Sequence, residues 1–412
     1  MPAEATLTPQ QADDALIALF TPPQPADPFP YYETLQEVNR VHHSAALGLW
    51  AISGYDEATA FLRTPDLNSG PRAATVLRED WPDHPSLRMY LHAMVTLEGA
   101  DHARIRGMAS RVFTPGKIRK QEPAVQRLMR EFLDDIVEQA EGGEPVDLVD
   151  LLAVPFPVAV ISEMLGLPHG DGKRFHELAE DWSRVWSGLY PEEDLVRADA
   201  AAEELSGYFI ETIDARRAEP RDDLLSSLVQ EAAVGRLDED ELMALTTFLF
   251  TAGFAATTNL IATGVMALTE HPGELKRWRE DKSITKPAVE ELLRHTAHTA
   301  ATSRITTKPT VVGDTEIPEG AHVLALLGAA NRDPEKYPDP HRLDLTRDDA
   351  PHLSFSVGAH YCMGGNLARI EGAELFPALI DTFSEIEMAG TPERRDVMGL
   401  TGYSTLPVIL RR

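Results

Sequence analysis

The chain has a single cysteine, Cys362, among 412 residues. That excludes an intrachain disulfide and any cysteine-rich zinc site, and it fits a reducing compartment. Basic charge is also short: 38 Lys and Arg stand against 66 Asp and Glu, a formal net charge of −28. An acidic balance of this size argues against a general binder of nucleic acid or anionic membrane, although it says nothing about fold. The N-terminus shows no basic region followed by an apolar run, so neither a secretory leader nor a membrane anchor is expected, and a cytoplasmic location is. No Gly/Ser linker and no internal repeat divides the chain. No Gly-x-Gly-x-x-Gly follows a strand pattern, so flavin or nicotinamide binding is not expected. Residues 166–174 (GLPHGDGKR) imitate a phosphate loop, but the spacing is one residue too long and Arg174 stands where Ser or Thr belongs. His176-Glu177 lacks the second histidine of a zinc-binding helix.

What is present is an ordinary globular mixture, 43% hydrophobic and 25% charged, which argues against disorder. Apolar residues at three- and four-residue spacing predict helices over 128–139 and 200–217. Asp222 and Asp223 are positioned to cap a helix that stops near Gly235, and Pro287 opens another that runs to His295. Residues 243–268 carry no charge and are long enough to cross a bilayer. They also carry Thr246, Thr247, Thr251, Thr257, Thr258, Asn259 and Thr263, and no basic flank, so a helix buried on all sides is the better reading. Strands are predicted at 47–52, 310–312, 323–326 and 406–410, with a turn at Gly313-Asp314. Length alone suggests two or three domains. Without a linker the expectation is instead one mainly α domain with a small β region at 27–412, after an extended lead-in at 1–26.

Residues 352–365 read HLSFSVGAHYCMGG, and a helical stretch follows at 366–376. A thiolate that binds a metal needs a rigid loop, shielding from water and hydrogen-bond donors around the sulfur. Gly358 permits a turn that other residues resist. A helix beginning just after Cys362 turns its positive end toward the sulfur. Gly364 removes a side chain where a flat cofactor would need close approach. A lone cysteine is ordinarily a small buried hydrophobe; the surrounding pattern points elsewhere.

This pattern resembles the heme loop of the cytochrome P450 family, the heme-thiolate monooxygenases, which reads Phe-Gly-x-Gly-x-His-x-Cys-x-Gly. Phe355, Gly358, His360, Cys362 and Gly364 match it, and Ser356 replaces the first glycine. The resemblance implies Cys362 as axial ligand of a heme b iron, with the heme between the long central helix and the cysteine-loop helix. It implies that His102, Arg106, Arg304 and His360 hold the propionates. Glu291 and Arg294 match the family's Glu-x-x-Arg helix, with Arg342 as the expected third group from a later loop.

The family's oxygen-activating helix carries a glycine, then an acid, then an alcohol. Here Gly253 matches and would let the helix widen, but the acid position is Ala255 and the alcohol position Ala256. Neither methyl group can order water for proton delivery. Thr257 is next in sequence, but one residue turns about 100° around a helix, so it serves only if the helix is distorted. The resemblance places the substrate pocket along 68–93, 298–302 and 401–404, with Phe254, Thr299, Thr302 and Tyr403 as lining residues. Arg72 and Arg78 are candidates to meet an acidic substrate.

The implied activity is insertion of one oxygen atom from dioxygen into a lipophilic specialised metabolite, by hydroxylation or epoxidation, with water- or substrate-assisted protonation. Electrons would come from a separate ferredoxin and ferredoxin reductase, and a monomer is expected. Six cations and no acid stand between 103 and 120 (Arg104, Arg106, Arg111, Lys117, Arg119, Lys120), and apart from Arg106, if it holds a propionate, they form the expected docking surface. An atypical heme-thiolate enzyme, such as a nitric oxide reductase, ring-coupling oxidase, isomerase or peroxide-driven oxidase, is the alternative. A non-enzymatic heme sensor is disfavoured, since no signalling or DNA-binding segment is recognised.

Overall fold

The fold is built around the 32-residue helix Glu239–Glu270. In the computed structural model, residues 7–21, 25–111, 113–168, 172–187, 190–297, 299–348, 351–395 and 402–412 are described. The central helix starts where Asp238 accepts from the Glu241 amide while the Glu241 side chain accepts from the Asp238 amide, a reciprocal cap. Its Leu, Phe, Ala and Thr side chains are buried along most of its length. A surface without charge over 243–268 is stable only inside a large core. Of the described helices it is the one long and apolar enough to cross a bilayer, and it is instead wrapped by protein.

Helices Pro155–Leu165, Gly172–Ser183, Glu192–Ala218, Leu224–Ala233, Thr285–Thr296 and Gly365–Thr382 pack around it. Asp223 caps Leu224–Ala233 by accepting from the Ser226 amide, as its position before the apolar run requires. On one side lies a five-stranded sheet in the order Val41–Ser44, Leu49–Ile52, His322–Ala325, Thr302–Thr306 and Leu67–Ser69. Leu49–Ile52 runs parallel to His322–Ala325; the other pairs are antiparallel. Pro407–Arg411 pairs with Glu385–Met388 and Val146–Asp147 in a smaller sheet. The hairpin Thr310–Val312 with Thr315–Ile317 turns at Gly313, where φ is +58°. The expected strand at 47–52 begins two residues later, because Leu47 is exposed and Gly48 takes φ +64° in the turn.

The N-terminal expectation requires correction. Residues 9–20 are not an extended lead-in but a helix, Pro9–Phe20, with a Thr8/Gln11 capping box. Its Ala12, Ala15, Leu16 and Leu19 pack with Tyr32, Leu35, Leu326 and Ala329. Asp13 reaches His42 at 2.8 Å. Those contacts bury an apolar stripe that a short isolated helix could not keep ordered.

Candidate heme-thiolate site

The cysteine loop is tied to the core before it reaches the sulfur. Asn331 accepts from the Leu353 amide at 2.7 Å and donates to Ser354 Oγ at 2.9 Å, and Ser354 donates to the Leu293 carbonyl. The Cys362 amide then donates to the Phe355 carbonyl at 2.8 Å, closing the loop. Gly358 has φ +77°, and a Cβ there would stand 2.3 Å from the Leu62 carbonyl oxygen, so no other residue fits. Ser356, where the family pattern has glycine, is held at φ +55°, and its buried Oγ finds no partner. Behind the loop, the Arg369 guanidinium lies 4.6 Å from the Phe355 ring centroid and bonds Glu290 at 2.6 Å.

At the sulfur, burial pushes the Cys362 thiol up, while the Gly364 and Gly365 amides and the Arg106 and Arg369 charges pull it toward thiolate. A Cβ at Gly364 would meet no atom nearer than Sγ, at 4.0 Å, so the space beside the sulfur is open. The donor set therefore suits a soft iron–thiolate bond.

The four expected propionate ligands converge. His102 and His360 stack with centroids 4.2 Å apart. His102 is buried, its Nε2 has no partner, and burial together with His360 and Arg106 drives it down to about 4. Arg106 donates to the Tyr361 carbonyl at 2.6 Å. Arg304 donates to Ser303 O and Thr302 Oγ1. Burial holds both guanidiniums below their ordinary value. One acid intrudes: Glu98 meets His360 Nε2 at 3.1 Å, and its other oxygen is buried without a partner. Two guanidiniums against one carboxylate leave the cluster short of negative charge, and His102 Nε2 lacks a hydrogen-bond partner; carboxylates such as propionates fit both needs.

The Glu-x-x-Arg pair is fully buried. Arg294 Nε and Nη2 meet the two Glu291 oxygens at 2.7 and 2.8 Å, and Arg294 Nη1 donates to the Asn331 and Pro340 carbonyls. The third group is Arg347, whose Nε meets Glu291 Oε1 at 3.2 Å, and not Arg342. Arg342 turns its carbonyl inward to Arg294 at 3.5 Å, while its side chain is 59% exposed beside Asp344. The Arg342 amide closes a turn on Asp339 and the Arg347 amide a second one on Asp344, and only the later arginine points its side chain inward.

The central helix also departs from expectation. It is continuous through Gly253, Ala255, Ala256 and Thr257, so Gly253 does not widen it. Gly253 instead admits Ile161: a Cβ would stand 2.6 Å from Ile161 Cγ1. Thr257 does not substitute for the missing alcohol, because its hydroxyl donates to Glu371 at 2.7 Å.

Of the expected pocket residues, Phe254 lines a small cavity with Ala255 and Thr251. Thr302 supports Arg304. Tyr403 faces a different cavity, near His295 and Arg332; its neighbour Gly402 lines the first. Thr299 is half-buried in an isolated bridge. His298 and Thr401 lie outside the described residues. Arg78 is paired with Asp80 and Glu192 and is not free for an acidic substrate, whereas Arg72 donates one hydrogen bond to the Leu91 carbonyl and meets no acid among the described residues. The residues missed by sequence reasoning are His176, Trp186, Asn259 and Arg395, which share the Phe254 cavity. His176 carries no signal in the sequence beyond being a lone histidine that lacks the second histidine of a zinc-binding helix.

On the basic segment, Arg104 already meets Glu241 and Arg111 meets Glu231 at 2.8 Å. Lys117, Arg119 and Lys120 remain exposed.

Comparison with known proteins agrees with this geometry. A family model described as cytochrome P450 matches residues 89–404. The chain is 37% identical over 393 residues to the 6-deoxyerythronolide B hydroxylase of Saccharopolyspora erythraea, covering 92% of this chain and 95% of that protein. It is 35% identical over 375 residues to the cytochrome P450 monooxygenase PikC of Streptomyces venezuelae, covering 89% and 86%. Among solved structures, tirandamycin C-bound P450 monooxygenase TamI superposes with a TM-score of 0.80 at 31% identity, covering 93% of this chain and 98% of that one.

Proposed function

The chain belongs to the cytochrome P450 family of heme-binding oxidoreductases, and from that premise we propose that it inserts one oxygen atom of dioxygen into a lipophilic specialised metabolite. Residues 27–412, together with the packed helix Pro9–Phe20, act as one catalytic unit, as a cytoplasmic monomer reduced by a ferredoxin and its reductase. The carrying observation is the loop that sets Cys362 Sγ against the Gly364 and Gly365 amides beside an under-neutralised cluster of buried His102 and Arg304 with half-buried Arg106 and His360.

Bound heme would supply dioxygen activation; the protein supplies its seat and its surroundings. Cys362 would ligate the iron. His102, Arg106, Arg304 and His360 would hold the propionates, with Glu98 orienting His360. Phe355 and Arg369 brace the loop from behind. On the opposite side, Ala255 and Ala256 offer no proton, and Thr257 is committed to Glu371. Protons must then reach the reacting oxygen through ordered water or through a polar group of the substrate.

The test begins with the reduced carbonyl adduct of heme-loaded protein. A red-displaced absorption that vanishes in Cys362→Ser supports the reading, and its absence in the wild type rejects it. The double variant Ala255→Glu/Ala256→Thr then probes proton supply. If it couples reductant to product far better than wild type and keeps the native product, substrate assistance is wrong. The missing acid and alcohol also favour a second reading, an atypical reaction such as nitric oxide reduction, ring coupling, isomerisation or peroxide-driven oxidation. Stoichiometry of reductant, dioxygen and product separates these.

A further inference from the structure

We propose that His176, Trp186 and Asn259 form a subsite that recognises an uncharged hydroxyl or carbonyl group of the substrate. The inference rests on the monooxygenase reading and narrows its substrate to a neutral, oxygen-bearing lipophile.

The three residues come from separate elements: helix Gly172–Ser183, the short turn Arg184–Ser187 and the central helix. They line one cavity of about 40 Å³. His176 is only 6% exposed, and neither ring nitrogen has a hydrogen bond; Glu180 Oε1 is 3.6 Å from Nε2. Trp186 Nε1 is buried and unbonded. Asn259 is 2% exposed, and its Oδ1 is unbonded. Buried polar groups are nearly always paired, and each orphan costs about 1–3 kcal/mol. Three of them on one small cavity mark a place built for a ligand's polar atoms.

The charges around the cavity decide which atoms. Arg395 Nη1 meets Glu180 Oε1 at 3.1 Å, and Arg395 Nε donates to the Tyr403 carbonyl at 3.0 Å. The rim is therefore neutralised from within. Burial, with Arg395 nearby, holds the His176 imidazole below its ordinary value, so it presents one donor and one acceptor. Trp186 adds a donor, and the Asn259 amide adds an acceptor. A hydroxyl accepts from both donors and donates to one of the acceptors, a ketone accepts from both donors, and neither brings in charge. A carboxylate or an ammonium would lose its hydration with no unpaired counter-charge to meet it, since Glu180 and Arg395 already face each other.

Size and position sharpen the assignment. About 40 Å³ is room for a few waters at ~10–15 Å³ each, so the cavity takes a functional group and not a whole substrate. Phe254 and Ala255 complete its wall. Phe254 packs against the His176 ring at 5.7 Å, which gives the adjoining carbon skeleton an apolar surface. Ala255 occupies the position that carries the acid in the family pattern, so the seated polar group lies beside the missing side chain. Gly402 closes the far end, where a Cβ would stand 2.1 Å from Asn259 Oδ1.

The test is calorimetric titration of heme-loaded wild type and the variants His176→Phe, Trp186→Phe and Asn259→Leu. The probes are a hydroxy-ketone macrolactone, its deoxygenated analogue, and a carboxylate and an amine on the same skeleton. Wild type should bind the hydroxy-ketone at least tenfold more tightly than the other three. Each variant should lose about tenfold, or ~1.4 kcal/mol, for the hydroxy-ketone and less than about twofold for the deoxygenated analogue. Equal losses for both ligands, tighter wild-type binding of a charged probe, or no wild-type binding of the hydroxy-ketone would overturn the subsite. A variant that loses the red-displaced carbonyl adduct is replaced by His176→Gln or Asn259→Ser, held to the same expectation. Absence of that adduct in the wild type would instead overturn the monooxygenase reading.

Discussion

Thr257 on the central helix donates its hydroxyl to Glu371 on the cysteine-loop helix, 2.7 Å away and 114 residues later in sequence. Both side chains are buried. The bond ties together the two helices expected to flank the heme, and it takes the nearest hydroxyl out of competition for the alcohol role left open at Ala256.

Thr257→Val should leave the Glu371 carboxyl buried with no partner for Oε2, since Oε1 already has none. The expected loss is about 1–3 kcal/mol, read by denaturant unfolding near pH 6. Burial pushes Glu371 up to about 8. Between the ordinary carboxyl range and that value the folded state binds the extra proton, so stability falls as pH rises through this window and levels off above it. Glu371→Gln should flatten the decline; an unchanged pH profile would show that Glu371 does not cause it.

Ser356 is the residue of the cysteine loop most out of place. Its left-handed backbone costs a non-glycine residue roughly 1–2 kcal/mol, and its hydroxyl is unpaired. Ser356→Gly should therefore stabilise the protein by about 1 kcal/mol and slow heme loss to an apoglobin acceptor. A lower Tm would contradict the strain.

The buried Glu291–Arg294 pair gives a sharp ranking. Glu291→Ala leaves a guanidinium unpaired in the core and should cost about 3–5 kcal/mol. Arg347→Ala removes one charged hydrogen bond, about 1–3 kcal/mol. Arg342→Ala should stay within about 0.5 kcal/mol, since its side chain is exposed. Thermal denaturation of the three variants checks the order, and a large loss at Arg342 would restore it as the third group.

Lys117 and Lys120 are the cations to reverse if an acidic ferredoxin docks on the basic segment, because Arg104 and Arg111 already face acids. Lys117→Glu/Lys120→Glu should slow ferredoxin-driven reduction several-fold at low ionic strength, and the difference from wild type should shrink as salt rises. Equal rates in stopped-flow measurements at low salt would move the docking surface elsewhere.

Features carried by neighbouring residues were legible in the sequence. The loop from Phe355 to Gly364, the Glu291/Arg294 spacing and the cap at Asp223 each depend on geometry within a turn or two of chain, which residue identity specifies directly. The alanines at 255 and 256 were equally plain, because an absent functional group needs no structure to be recognised. The helix Pro9–Phe20 was missed because flanking prolines masked a short apolar stripe whose order comes from packing on Tyr32 and Leu326.

Partnerships between distant segments were decided only by the tertiary structure. Arg342 and Arg347 are equally plausible partners for Glu291 on paper; the direction of the chain after Pro340 sends one side chain to solvent and the other into the core. Thr257 is turned to Glu371 by the approach of two helices, and His176, Trp186 and Asn259 meet because three elements converge on one cavity. Sequence thus determined which chemistry the chain can perform, since side-chain type and local spacing set donors, ligands and turns. Which groups face one another across the core was settled by packing, because direction in space is a property of the whole fold.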